Sequence, residues 1–414
     1  MSDDAALLKG LKVIDAASFI AAPVAATVMA DFGADVIKVE APGGDGFRDI
    51  YALPGMPIDT RNYAWEVDNR SKRGICIDLR SDAGRTVLDR LLDDADVLIT
   101  NFVPRVRQKL GLRYQDLKAR YPRLIYASMS AYGEAGPEAE KTGFDSTALW
   151  ARSGLMDLVR PDPDTAPARS LPGMGDHPSG MSLLAGIMMA LWQRERTGQG
   201  SQVSTSLVAN GIWMNAFYGQ AALNRAEIPV RPPRDETPNA LSALYRCSDD
   251  RWFLLAIVNY EDRAAPGFFK AIGREDLLQD PRFATSTARR QNAAELMAIL
   301  DQTFASADWP TWQARLTEHG VTFGTVARNA DMPEDKQLRH AGAVVDDHLG
   351  RPMIGSPVFV GGAAKRPPAP APGLGEHTRE ILAQHGYGPE DIDRMLSEGV
   401  VAENVLAEDT AAEG

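Results

Sequence analysis

Asp176 stands in a turn punctuated by glycine and proline, Gly173-Met174-Gly175-Asp176-His177-Pro178-Ser179-Gly180, and a long apolar run, Met181 to Trp192, follows directly. Glycines on both sides let the backbone take tight or positive-φ geometry. Pro178 suits the first turn of the helix that follows, where its missing N–H is not needed. Asp176 then lies at a helix N-terminus, where free amides and the helix dipole favour a negative charge, and by local pattern it reads as an N-cap. His177 raises the question of a nucleophile–base dyad. Ser179 is the only nearby hydroxyl, and sequence neighbours rarely point the same way, so His177 reads as a turn residue. Gly143-Phe144-Asp145 is a second carboxylate entering a helix, again with the pattern of a cap. Two basic groups stand out: Arg70, Lys72 and Arg73, then Arg105, Arg107 and Lys109. Each reads as a solvated face or as a phosphate site. The second group directly follows a strand end, where ligands of open α/β sheets sit.

The elements that must carry these residues are legible in the hydrophobic pattern. Leu11–Asp15 reads as a buried strand, Ala22–Phe32 as a helix with Val24, Val28, Met29 and Phe32 at helical spacing, and Asp35–Glu40 as the next strand. Strand, helix and strand within about 30 residues make a βαβ unit and imply a parallel pair. The pattern repeats with strands at Gly74–Leu79, Asp96–Thr100 and Leu124–Ser128 and helices at Ala83–Leu92 and Tyr114–Arg120. An open α/β sheet follows, with ligand expected at the carboxyl ends of its strands. The turn after the first strand, Ala16 to Pro23, lacks GxGxxG, and the chain has neither GxxxxGK[ST] nor GxSxG, so dinucleotide binders, P-loop enzymes and serine hydrolases lack their signatures. Beyond the long helix come a short strand at Gln202–Thr205 and a helix over Leu207–Leu223. A Pro-rich, charged linker follows at 226–240. A smaller α+β unit has strands near 243–247 and 252–258 and helices near 261–272, 292–305 and 309–319. A Pro/Gly-rich stretch spans 355–375. Thr378–His385 is the final helix, and the acidic end after about 403 has no anchoring pattern.

With 414 residues, 44% hydrophobic and 24% charged, the chain has ample material for roughly two to three domains. A net charge of −12 argues against a general nucleic-acid or membrane-surface partner, while leaving room for a local basic pocket. Cys76 and Cys247 are far apart and the six histidines form no HxxxH pair, so no disulfide or metal site is expected. No segment has the pattern of a signal peptide or membrane span, and the expected compartment is the cytoplasm.

Taken together, several stretches resemble the family III CoA-transferases (CaiB/BaiF-type, formyl-CoA transferase-like). They are Leu11-Lys12-Val13-Ile14-Asp15, Ala21-Ala22-Pro23, Phe32-Gly33-Ala34-Asp35-Val36-Ile37-Lys38-Val39-Glu40, Ser71-Lys72-Arg73 with Asp78-Leu79, Asn101-Phe102, Gly175-Asp176, Arg196 to Val203 and Gly375-Glu376-His377-Thr378. The match runs from about residue 8 to about 390 in the family's order and spacing. The resemblance implies an α/β fold with a large Rossmann-like open-sheet domain built from both chain ends and a smaller inserted α+β domain. The corresponding segments are 1–224 (large domain), 225–330 (small domain) and 331–414 (linker and return). It further implies a homodimer of two ring-like subunits interlocked like chain links. In activity it implies CoA transfer from an acyl-CoA donor to a small carboxylic acid acceptor, with coenzyme A as substrate and no permanently bound cofactor or metal.

By the same resemblance Asp176 is the nucleophile. It would form a mixed anhydride and then an aspartyl-CoA thioester, in a site that excludes water. Amides around Gly175 and the following helix would assist the oxyanion. The positions matching the family's CoA contacts are Phe19, Ile20, Ile77 to Arg80, Asn101, Phe102, Lys109 and Thr142 to Asp145; Arg80 and Lys109 keep the positive charge suited to phosphate. Departures narrow the reading. Ile20 stands where the formyl-CoA enzyme has Gln, Ala41 stands where it has Arg, and no Gly-rich lid appears between Pro229 and Tyr245. An oxalate acceptor is therefore disfavoured, and Phe19-Ile20 suggests a more apolar acyl pocket. The racemase branch, acting on 2-methylacyl-CoA, places a His where Phe144 stands, which leaves proton exchange without one of its two partners. Intramolecular CoA transfer within a dicarboxylic acid would use the same Asp chemistry. A non-catalytic CoA-binding subunit is the remaining class, and the presence of Asp176 speaks against it.

Overall fold

The computed structural model describes residues 6–258 and 261–403. Its α-carbon contacts separate two compact units: 1–156 with 169–225 and 337–414 form the first, and 157–168 with 226–336 the second.

In the first unit the strands are β1 (Lys12–Ala16), β2 (Asp35–Glu40), β3 (Arg73–Ile77), β4 (Val97–Thr100), β5 (Ile125–Ser130) and β6 (Gln202–Ser206). They form the parallel order 3-2-1-4-5-6, with a short strand, Val401–Ala402, antiparallel against β3. Side chains alternate between the two faces of a strand. Val13, Val36, Val97 and Ile99 accordingly enter one core, and Ile14, Ile37 and Leu98 the other. The strand order reverses between β2 and β4 around β1, the topological switch point at which open α/β sheets leave a crevice beyond the strand ends.

The helices of the first unit include α1 (Ala21–Asp31), α2 (Tyr63–Asn69), α3 (Asp82–Leu92), α4 (Pro104–Leu110), α5 (Tyr114–Leu117) and α7 (Asp176–Thr197), while the short α6 (Leu155–Leu158) spans the boundary between the units. A π-helical segment spans Asp145–Ala151. α1 and α7 cross on one face of the sheet, and Gly180 permits the approach. A Cβ there would sit 2.7 Å from the Ala21 carbonyl oxygen and 2.8 Å from Val24. Gly180→Ala is therefore expected to lower stability by about 1–3 kcal/mol, read as a fall in the urea midpoint at unchanged m.

Two readings from the sequence are corrected here. The helix over Leu207–Leu223 is two, α8 (Leu207–Met214) and α9 (Ala216–Leu223). Asn215 breaks the run, donating from its buried side chain to the Ser153 carbonyl at 2.7 Å. Thr378–Gln384 is also not the last element: helix Pro389–Ser397 and the strand Val401–Ala402 follow, closing the β3 edge of the sheet. The acidic end beyond 403 lies outside the described residues.

The second unit has a three-stranded antiparallel sheet (Leu244–Arg246, Trp252–Leu255, Phe323–Thr325) covered by helices Glu261–Ala271, Ala293–Phe304 and Trp309–Glu318. Phe304 is the hub of its aromatic core, with ring centroids 4.9 Å from Tyr245, 4.8 Å from Phe253 and 5.2 Å from Trp312.

Candidate active site

The carboxyl ends of β1 and β4 meet through one side chain. Asn101 accepts from the Ser18 N–H at 3.0 Å and donates to the Ser18 carbonyl at 2.8 Å, holding both main-chain groups of that residue. Phe19 follows with φ at +62°, a left-handed conformation uncommon for a residue with a side chain. Its N–H is clamped by both Asp45 oxygens, at 3.2 and 3.1 Å. Asp45 is itself paired with the fully buried Lys38 at 3.0 Å and caps the next turn through Phe47 N–H at 3.0 Å; Lys38 also donates to the Ala17 carbonyl. Three consecutive residues of the first turn are thus held by side chains from two strand ends and a loop.

Beneath this turn lies a second buried pair. Lys72 donates to Asp15 at 2.9 Å, to the Pro23 and Asp68 carbonyls at 3.0 and 3.1 Å and to the Asn69 side chain at 3.0 Å. Burial works to raise Asp15, but Lys72 and Lys38 hold its carboxyl below the ordinary range. Arg70 is likewise buried, bidentate to Asp31 at 2.9 and 2.8 Å, and Arg107 is buried against Glu134 at 2.6 Å. The solvated-face reading fails for these three, because each is buried and paired with an acid.

The turn clamped in this way forms one wall of a cavity of about 590 Å³. Phe19, Ile20, Asn101, Phe102, Thr142, Asp145 and Asp176 all line it, although 157 positions separate the first from the last. The stretch Ile77 to Arg80 and Lys109 do not line it. Ile77 is buried at the end of β3, Arg80 is exposed and paired with Asp78 at 2.9 Å, and Lys109 is exposed on α4. Most of the wall was not foreseen from sequence: Phe47, Met56, Val103, Val106, Met129 and Leu207 are apolar, and no local pattern distinguishes them from core residues. Lys141 and Arg169 are its two cations; Lys141 is 3.3 Å from Glu138. Phe19 and Phe144 meet edge to face at 5.3 Å.

Asp176 opens α7 as its first residue. Gly175 is the N-cap, and no N–H of the described residues bonds the Asp176 side chain, so the N-cap reading is set aside. Asp145 explains the displacement: one oxygen accepts from the Gly175 N–H at 3.0 Å and the other from Ser146 N–H at 2.6 Å. That buried carboxylate fixes the turn and leaves Asp176 free. Gly175 is tightly packed: a Cβ there would fall 2.8 Å from a Leu149 methyl and 3.0 Å from the Asp145 Cβ, so a side chain would push against both. No described residue donates a hydrogen bond to the Asp176 oxygens. Burial, and after it the nearby Asp145 charge, push its carboxyl up to about 7, against an opposing pull from His177.

The remaining groups of the turn are engaged. Ser179 donates to the Gly175 carbonyl at 2.7 Å and is fully buried, so it forms no dyad with His177. His177 reaches Asp68 of α2 instead, at 2.9 Å. The amides expected to assist an oxyanion are largely committed: Gly175 to Asp145, His177 to the Gly173 carbonyl at 3.2 Å and Ser179 to that of Gly175 at 3.2 Å, while Pro178 has none. The N–H of Asp176 itself, like that of Gly173, has no partner among the described residues. A carboxylate with no donors, raised toward neutrality and facing an apolar cavity, is equipped for nucleophilic attack.

No group of His, Cys, Asp and Glu among the described residues could hold a metal ion, and no helix among them is long and apolar enough to cross a membrane. Comparison with known proteins gives the family. The model of CoA-transferase family III matches residues 8–378. The (R)-2-hydroxy-4-methylpentanoate CoA-transferase of Clostridioides difficile is 33% identical over 405 residues, 95% of this chain and 99% of that one. The cinnamoyl-CoA:phenyllactate CoA-transferase of Clostridium sporogenes is 33% identical over 410 residues, covering 95% and 97%. Among solved structures, a CaiB/BaiF family protein from Brucella suis superposes with a TM-score of 0.81 at 32% identity, over 92% of this chain and 99% of that one. With a family model spanning most of its length and relatives a third identical from end to end, the chain belongs to CoA-transferase family III, enzymes that move CoA between acyl-CoA thioesters and acids.

Proposed function

We propose that CoA transfer on this chain runs through Asp176, and that its acids carry a branched or aromatic apolar side chain. One observation carries the first part: the Asp176 carboxylate faces the cavity with no hydrogen-bond donor from any described residue on it. A carboxylate whose oxygens no protein donor occupies keeps its lone pairs available for attack. Asp176 attacks the carbonyl carbon of an acyl-CoA; a C–O bond forms, the C–S bond breaks, and CoA leaves as the thiolate. The thiolate attacks the Asp176 acyl carbon, releasing the donor acid as a carboxylate and leaving an aspartyl-CoA thioester. An acceptor carboxylate then reverses the two steps and departs as the new acyl-CoA. No net proton transfer is required. Two thioesters are exchanged at similar energy, so the chemistry needs only exclusion of water from the anhydride, which the Phe19–Phe144 pair and the apolar wall favour.

The second part rests on the wall and on the relatives. Ile20, Phe47, Ile50, Met56, Phe102 and Val103 offer dispersion contacts and few hydrogen bonds. The two bacterial relatives are named for a branched and an aromatic acid. Asn101, Thr142, Lys141 and Arg169 are the polar groups offered to CoA at this cavity, and the exposed Arg80 and Lys109 are available to phosphates that extend past it. Proton exchange at C2 is not favoured, because the position before Asp145 is filled by Phe144, which supplies no base. A homodimer is proposed as well. Trp192, Ile212, Trp213, Phe217 and Leu223 are 49–84% exposed on α7, α8 and α9, apolar side chains that a second copy of the chain would cover.

Intact-protein and peptide mass spectrometry after mixing with acetyl-, succinyl-, 4-methylpentanoyl- and 3-phenylpropanoyl-CoA, with hydroxylamine trapping, tests both parts. A mass change confined to Asp176, fastest with the last two, is expected. Absence of any Asp176 adduct would remove the covalent route, and faster labelling by succinyl-CoA would remove the apolar substrate class.

A further inference from the structure

Both ring nitrogens of His177 face acceptors. Nδ1 is 2.9 Å from the Gly173 carbonyl oxygen, and Nε2 is 2.9 Å from Asp68 Oδ1. A carbonyl can only accept, so Nδ1 carries a proton. Asp68 is 3% exposed, and His177 is the only described residue that hydrogen-bonds its carboxylate, so a proton on Nε2 gives that buried acid its one side-chain donor. With both nitrogens protonated the ring is an imidazolium. Its two bonds also span the nucleophile's turn. Gly173, at φ +75°, is tied through its carbonyl to the His177 ring and to the His177 N–H, and through the ring to α2. Asp68 is anchored in turn by its own carbonyl, which accepts from Lys72 at 3.1 Å and from the Thr27 hydroxyl.

We propose that His177 is a positioning residue for the transfer reaction: bridged between Gly173 and Asp68, it fixes the turn that presents Asp176 and supplies the cation that favours its ionised form. This rests on Asp176 being the nucleophile. The charged groups facing Asp176 are Asp145 from the π-helical segment, Asp68 from α2 and His177 from α7; those facing His177 are Asp68 and Asp176. Of the three around Asp176, only His177 is positive, so it alone offsets the two acids and the burial. For His177 itself burial pulls downward, but the Asp68 hydrogen bond and charge outweigh it and push the ring up to about 9. Between about 7 and about 9 the carboxylate and the imidazolium coexist, which is the protonation state the reaction needs.

The test is the pH profile of Asp176 labelling by 4-methylpentanoyl-CoA in single turnover, for the wild type, His177→Gln and His177→Lys. Losing the cation is expected to move the acid limb upward by about one pH unit, so that His177→Gln is about tenfold slower than wild type below the limb and close to it well above. His177→Lys is expected to bring the limb back toward the wild-type position. A uniform loss in His177→Gln with the limb unmoved would reduce His177 to packing and overturn the proposal. Nitrogen-15 chemical shifts of the His177 ring in the unmodified enzyme give a readout independent of any variant: two protonated nitrogens at pH 8 support the bridge, and a neutral ring overturns it. Wild-type protein that never labels at Asp176 would instead sink the nucleophile assignment on which the proposal stands.

Discussion

Asp176→Asn is expected to lower the rate of CoA transfer by about four to six orders of magnitude, the loss seen when a covalent nucleophile is removed from a site otherwise intact. The amide fits the same space but is a far poorer nucleophile and cannot form the anhydride. The same substitution is expected to leave the fold more stable at pH 8. The Asp176 carboxyl is raised to about 7 in the folded chain, above the ordinary carboxylate value near 3.8. Between those values the folded state binds more protons than the unfolded one, so this residue's contribution to stability falls as pH rises from about 4 to about 7 and is at its least favourable above that. Asparagine removes the ionisation that causes the loss. Transfer assays following the new acyl-CoA by chromatography, together with thermal melts at pH 5 and pH 8, check both halves. Residual activity within tenfold of wild type would exclude covalent catalysis at Asp176, and a melting temperature that drops at pH 8 would contradict the electrostatic account of the site.

Lys72→Met is expected to destabilise the chain by about 3–5 kcal/mol, because it leaves the Asp15 charge fully buried without its partner. Both side chains are completely inaccessible, and Lys72 also ties the end of α2 to the start of α1 through Asp68 and Pro23. The double substitution Lys72→Met with Asp15→Leu is expected to recover most of the loss, since an apolar pair of similar volume replaces two desolvated ions. Urea denaturation of the single and double variants gives the comparison. A single variant within about 1 kcal/mol of wild type would show that Lys38 alone satisfies Asp15. The substitution also reaches the site: Lys72 holds the Asp68 carbonyl, and the Asp68 carboxylate holds His177.

The sequence by itself determined what periodicity and local backbone preference can encode. Strands such as Asp35–Glu40 alternate between two cores, so their type and bounds are written in five or six consecutive residues. The α/β class followed from the order of such segments, and the spacing of motifs around Gly175-Asp176 was enough to suggest the family. Where the local signal failed, a distant group overrode it. Asp176 reads as a cap, but Asp145, thirty residues away, bonds Gly175 and leaves Asp176 uncapped. Lys72 and Arg70 read as surface charge until Asp15 and Asp31 are brought to them.

Only the tertiary structure decided that Ser18 and Asn101 are clamped at the switch point, that Asp45 holds Phe19 in a left-handed turn and that His177 answers to Asp68. The physical reason is common to all three. A hydrogen bond is decided within about 3 Å, and 83, 26 and 109 residues of chain separate these partners. No local propensity reports which of many polar side chains will arrive at that distance once the sheet has formed.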